Sequence, residues 1–113
     1  MKRIVAFVKP NMLDDVIFAL HGLEEFPGAS ISEVQRVGGG SRDHLNHGDR
    51  TPFHVFPTSV RMKIVCSPAQ VEVIVETIRL KAHTGLPDDG TIYVSAVEDA
   101  LRIRTGERGD AAV

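Results

Sequence analysis

Residues 3–20 read RIVAFVKPNMLDDVIFAL, and residues 61–78 read RMKIVCSPAQVEVIVETI. With Arg3 laid on Arg61, Pro10 falls on Pro68, Leu13 on Val71, Asp14 on Glu72, Val16 on Ile74, Ile17 on Val75 and Leu20 on Ile78. Each copy opens with apolar residues at every second position, Ile4, Ala6 and Val8 in the first and Met62, Ile64 and Cys66 in the second. A period of two puts those side chains on one face of a strand. Past the proline the period changes. Leu13, Val16, Ile17, Leu20 and Leu23 recur at helical spacing, as do Val71, Ile74, Val75 and Ile78. In the second copy Ser67 stands as N-cap, Pro68 at the first helical position and Gln70 where a capping box needs it. A unit of strand followed by helix therefore occurs twice.

Outward from the two copies, each unit runs on to a further strand. The first helix meets a breaker pair in FPG at 26–28, after which SISEVQRV at 30–37 reads as a strand. The second is closed by Gly85 and followed by TIYVSAV at 91–97, and LRIR at 101–104 reads as a short edge strand before a polar tail. The order βαβ–βαβ predicts an α+β fold, the ferredoxin-like βαββαβ sandwich: a four-stranded antiparallel sheet with two helices on one face. Val5, Phe7 and Val65 fall on the other face, where apolar groups need a cover, and packing between subunits is the simplest one.

With 113 residues, 42% of them hydrophobic, the chain fits one domain over 1–113, with a long loop at about 38–58 and a C-terminal strand and tail at about 101–113. At this size a compact fold buries somewhat less than about 70% of its extended surface, so self-association is a natural way to bury more. A formal charge of −2 supplies no basic field for nucleic acid, so no nucleic-acid partner is expected. The single cysteine, Cys66, lies in an apolar run and reads as a buried thiol in a reducing compartment. Neither a leader pattern nor a bilayer-length apolar run is present, which predicts a cytoplasmic or peripheral protein.

Three features could carry chemistry. Residues 38–57 read GGGSRDHLNHGDRTPFHVFP, too long without periodicity to serve a core, and connections of that length usually serve contact with something else. Glycines at strand ends, in VGGG at 37–40 and PDDG at 87–90, let backbone N–H groups approach an anion, and Arg102 with Arg104 could fork onto phosphate oxygens. His44, His47 and His54 lie in the long loop near Asp43 and Asp49, and could hold a transition metal such as zinc, copper or nickel. Their spacing fits no standard closed site. No hydrolytic triad or nucleophile elbow is visible, so an enzyme is not expected.

KRIVAFVKP and LDDV at the N-terminus, SEVQRVG entering the long loop, and AHTGLPDDGTIYVSAVEDALRIRTGERGDAAV at the end resemble the P-II signal-transduction proteins over nearly the whole chain. The resemblance implies a homotrimer whose sheets line its interior, a long loop acting as the T-loop, and adenine nucleotides (ATP, ADP or AMP) bound in clefts between subunits. It places Gly28, Ala29, Ser30 and Val65 around base and ribose. Gly38, with Gly39 and Gly40, falls at the T-loop base near the phosphates. Asp88, Asp89 and Gly90, followed by Thr91, make the loop closing over them, and Arg102 and Arg104 reach in from a neighbouring subunit. It also implies a regulated partner met through the T-loop, a membrane transporter by analogy, with peripheral attachment at the inner membrane through it. Typical members carry glutamine where Gly40 stands and lysines where Ser59 and Thr91 stand. Those departures remove a magnesium ligand and two cations from the site for joint ATP and 2-oxoglutarate binding, so ADP or AMP is expected to compete well with ATP. The only tyrosine is Tyr93, in a strand, so uridylylation of a T-loop tyrosine is not expected. The alternative reading is a metal-binding or metal-tolerance module built on the loop histidines and linked to heavy-metal efflux.

Overall fold

A computed structural model describes residues 1–37 and 58–113 of the chain. Its elements are β1 (Lys2–Val8), α1 (Leu13–His21), β2 (Ser30–Gln35), β3 (Thr58–Cys66), α2 (Val71–Ala82) and β4 (Gly90–Ala96). The strands form one antiparallel sheet in the order β2-β3-β1-β4. The two repeated units thus lie side by side at its centre, with Arg3 opposite Val65 and Val8 opposite Val60. This is the ferredoxin-like arrangement that the repeat implies.

The period of two decides which face is buried. Ile4, Ala6 and Val8 from β1 and Val60, Met62, Ile64 and Cys66 from β3 are 2% exposed or less, and they pack against Val16 and Leu20 of α1 and Ile74 and Ile78 of α2. Each large aliphatic side chain buried this fully contributes roughly 1.5–3 kcal/mol of transfer free energy. Burial also pushes the Cys66 thiol above its ordinary range, because a thiolate would lose its solvation there.

Both helices start in the same way. A proline opens a 3-10 turn, Pro10–Met12 before α1 and Pro68–Gln70 before α2. Proline fits there because its fixed φ suits the first turn and its missing N–H would have had no helical partner. The Ser67 amide donates to Gln70 Oε1 at 3.2 Å, while Gln70 Nε2 donates to the Glu25 carbonyl at 2.9 Å, tying the start of α2 to the turn after α1.

Two expectations at chain ends need correcting. Helix α2 stops at Ala82, where His83 turns extended and its amide donates to the Arg79 carbonyl at 3.1 Å; Gly85 lies in the following turn with φ +84° instead of closing the helix. Nor is 101–104 a strand. Leu101 makes one isolated bridge to Arg108, and between them the chain turns, with the Gly106 amide donating to the Arg102 carbonyl at 2.7 Å. The alternation of LRIR is too short to outweigh the turn-forming Thr105 and Gly106 that follow. The chain then ends in a 3-10 turn, Gly109–Ala112.

The face of the sheet opposite the helices carries Val5 and Phe7 from β1, Lys63 and Val65 from β3, and Tyr93 from β4. Phe7 meets Tyr93 edge to face at 6.3 Å between centroids, and the Arg36 guanidinium lies 5.7 Å from the Phe7 ring centre. Tyr93 is still 57% exposed.

Candidate functional site

Of the residues singled out in the sequence, Gly28, Ala29, Ser30 and Val65 come together. They line an open groove of about 540 Å³ at the end of the sheet where β1 begins. Strand pairing builds it. Ser30 sits opposite Lys63 in the β2–β3 ladder, and Val65 follows two residues on, so it shares that face of β3. Gly28 supplies the bend into β2 with φ +99°, a conformation that costs a residue with a Cβ. The C-terminal segment completes the wall with Ala100, Ala112 and Val113. That segment is held by the Gly109 amide donating to the Ala100 carbonyl at 2.9 Å and by Arg108 Nη1 at 2.7 Å from Asp99.

Asp88, Asp89, Gly90 and Thr91 lie elsewhere. Gly90 pairs with Val8, at the opposite end of β1 from the Arg3–Val65 pair, a separation of about 17 Å at about 3.4 Å per residue. Here Asp89 is an organiser of its own loop. It accepts from the Thr84 amide at 2.8 Å, the Gly85 amide at 2.9 Å and the Thr84 hydroxyl, with Lys9 Nζ at 3.3 Å. The Thr84 hydroxyl, then those backbone amides and Lys9, hold the Asp89 carboxyl well below the usual carboxylate range. Asp88 lies 2.9 Å from the same ammonium, which lowers its carboxyl and raises Lys9 in turn. Gly90 is fixed by space: at φ +118°, a Cβ would stand 1.8 Å from the Phe7 carbonyl oxygen. Asp89, Gly90 and Thr91 border a smaller cavity of about 190 Å³ with Phe7 and His83.

The remaining residues divide in the same way. The chain leaves the described residues at Val37 and returns at Thr58, at the Gly90 end of the sheet; Gly38, Gly39 and Gly40 lie outside the described residues. So do His44, His47 and His54. Among the described residues no group of histidine, cysteine and carboxylate side chains gathers to hold a metal. Arg102 and Arg104 belong to the C-terminal turn, not to an extended edge. Arg102 Nη1 lies 3.4 Å from Glu107, and Arg104 is exposed with no ion pair among the described residues. Ser59 is turned inward, 7% exposed, with its hydroxyl donating to the Val8 carbonyl at 3.2 Å.

Two lysines escape a reading of the sequence. Lys9 reads as part of a strand's exposed face, and its partners stand about eighty positions away. Lys63 reads as one of two cations on an exposed strand face, yet it lines the groove. Its parity with Val65 is the signal that could have placed it there.

The family model for the nitrogen regulatory protein P-II matches residues 1–107. The chain belongs to the P-II family. It is 40% identical over 116 residues to the nitrogen regulatory protein P-II of Rhodospirillum rubrum and 37% identical over 114 residues to that of Azospirillum brasilense, covering all of both chains each time. A P-II homolog of Oryza sativa subsp. japonica is 42% identical over 87 residues, which cover 75% of this chain and 41% of the rice protein. P-II proteins are signal-transduction regulators that act through partners, and this P-II chain is a regulator, not an enzyme. Among its described residues no helix is long and apolar enough to cross a membrane.

Proposed function

We propose that this P-II chain is a nucleotide-responsive regulator that closes into a homotrimer, binds ATP, ADP or AMP between subunits, and acts on a partner, a membrane transporter by family analogy, through its T-loop. The observation that carries the reading is the division of the candidate residues between the two ends of β1. On one chain the groove of Gly28, Ser30 and Val65 and the loop of Asp88 to Thr91 are about 17 Å apart, too far to close over one base and its phosphates from the same side. A neighbouring copy brings the loop end of one subunit to the groove end of the next. The same packing covers the apolar sheet face around Phe7 and Tyr93, so one contact answers two demands.

In this arrangement the groove takes base and ribose, while Gly38 to Gly40 and Asp88 to Thr91 of the neighbour approach the phosphates. Arg102 is already turned by Glu107, and Arg104 is free among the described residues to meet an anion with its planar fork. Because Lys9 already neutralises part of the charge on Asp88 and Asp89, the loop repels phosphate less than its two carboxylates alone would.

Complementation between two defective chains tests the reading. Val65→Trp fills the groove and Thr91→Glu repels phosphate at the other end, so calorimetry should find ADP binding in the wild type and in neither variant alone. Equal amounts unfolded and refolded together should recover binding in about a quarter of the sites, the share in which a sound groove meets a sound loop in a randomly closed ring. Recovery of none would place the whole site within one chain. No heat from ATP, ADP or AMP with the wild type would end the nucleotide reading.

A further inference from the structure

Among the described residues lining the groove, Lys63 alone carries a charged side chain, and the Ser30 hydroxyl is the other polar side chain in a wall of glycine, alanine, valine and proline that also includes the terminal Val113. Lys63 is half-buried, and none of the ion pairs among the described residues involves it. Its cross-strand neighbours on this face, Ser30 on β2 and Val5 on β1, carry no charge. A ligand in the groove therefore meets a half-buried cation that makes no ion pair among the described residues.

The chemistry of an ammonium group is one-sided. It offers three donors and no acceptor. The edge of adenine presents an amino donor at C6 beside the N7 acceptor, so an ammonium there faces a donor and satisfies one acceptor only. A 6-oxopurine presents O6 and N7 together, two acceptors that one lysine can bridge, which is how lysine reads guanine in the major groove of DNA. A polar group left without its partner in a half-buried site costs affinity for the wrong base. We infer that Lys63 is a specificity-determining residue of the groove and extends its ligands to 6-oxopurine nucleotides, the hypoxanthine and guanine class, alongside adenine nucleotides. This rests on the nucleotide reading above and adds to it which base edge the groove prefers.

ADP and inosine diphosphate differ only at C6, amino against oxo, and at the adjoining N1, which is an acceptor in adenine and carries hydrogen in hypoxanthine. Comparing both nucleotides on wild type and Lys63 variants therefore isolates the effect of the lysine. Calorimetry on the full chain should give inosine diphosphate an affinity equal to or above that of ADP. Lys63→Met keeps the length of the side chain and removes the donors. It should weaken inosine diphosphate by at least about tenfold while moving ADP by less than about threefold. Lys63→Gln replaces the ammonium with an amide that has N–H donors and also an oxygen acceptor, and should shift the preference toward ADP, since that oxygen can accept from the C6 amino group. Thermal unfolding of both variants reports that the fold is intact. Equal weakening of the two nucleotides by Lys63→Met would place the ammonium on the phosphates and overturn the inference, as would an unchanged ratio or a wild type that takes ADP and refuses inosine diphosphate. A wild type that binds neither nucleotide would bring down the nucleotide reading as well.

Discussion

The two ends of the sheet use charge in opposite ways. At the end where β4 begins, Lys9, Asp88, Asp89 and Thr84 satisfy one another, and the Asp89 carboxylate alone takes two backbone amides, a hydroxyl and a share of an ammonium. At the end where β1 begins, Lys63 stands in an open groove with no ion pair among the described residues. The first arrangement holds a loop in shape, and the second leaves a side chain ready for something else. Acidic residues in a glycine-bearing loop look like a site in sequence, and a lone lysine in a strand looks like solvated surface. The contacts give the acidic residues a task within their own loop and leave the lysine without an ion pair among the described residues. Substitutions that separate stability from ligand response should therefore behave differently at the two ends.

The largest effect belongs to Gly90→Ala. A methyl group there would have to occupy the space of the Phe7 carbonyl and hold a φ of +118°, so β4 must shift away from β1 or the loop must refold. A loss of roughly 2–4 kcal/mol is expected, because strain of that kind adds to lost ladder bonds. The midpoint of urea unfolding measures it. An unchanged midpoint would mean that the loop end is softer than its contacts imply.

Next in size is Asp89→Asn, which keeps the shape of the side chain but removes its charge. The Thr84 and Gly85 amides should exchange faster with solvent, and the whole chain should unfold at a lower temperature than wild type, though by less than with Gly90→Ala. The acid limb of stability should respond too. Asp88 and Asp89 titrate below the usual carboxylate range in the folded chain, so they stabilise it fully above the unfolded value of about 3.9, and that stabilisation is lost as pH falls toward the folded values. Lys9 behaves in the mirror sense. Its folded pKa is raised, so its contribution is complete below the unfolded value of about 10.4 and is lost as pH rises through the folded one. Asp89→Asn should flatten the decline between about pH 4 and pH 2. A decline as steep as in wild type would assign acid sensitivity to other carboxylates.

The fold was legible because each repeated unit changes period at a proline, from two in KRIVAFV to helical in LDDVIFAL, and because Ile4, Ile64, Val16 and Ile74 had no alternative to the core. The groove was legible in part, because Gly28, Ala29, Ser30 and Val65, singled out by the match to a known family, do come together in it. What stayed hidden were contacts between residues remote in sequence. Lys9 and Asp89 meet only because β1 and β4 are neighbours, and the inward turn of Ser59 toward Val8 depends on the β1–β3 pairing. The alternation in LRIR misled for a related reason: a strand needs a ladder to join, and after Ala96 the chain has passed the end of β1, whose partner there is Lys2.

The smallest stability effect should be at Lys63, where the two ends differ most. Lys63→Met removes a charge from the open sheet face without touching a described ion pair, and methionine preserves the stem that packs beside Val65 and Val5. Unfolding free energy should stay within about 0.5 kcal/mol of wild type at neutral pH, since surface substitutions that break no contact seldom do more. Raising the salt concentration should not alter the difference between the two proteins, because among the described residues Lys63 belongs to no pair of opposite charges for the salt to screen. A loss well beyond that range, or one that depends on salt, would show that Lys63 already has a partner in the unliganded protein. The groove would then be tied up in its own structure just as the loop of Asp89 is, and the contrast between the two ends would disappear.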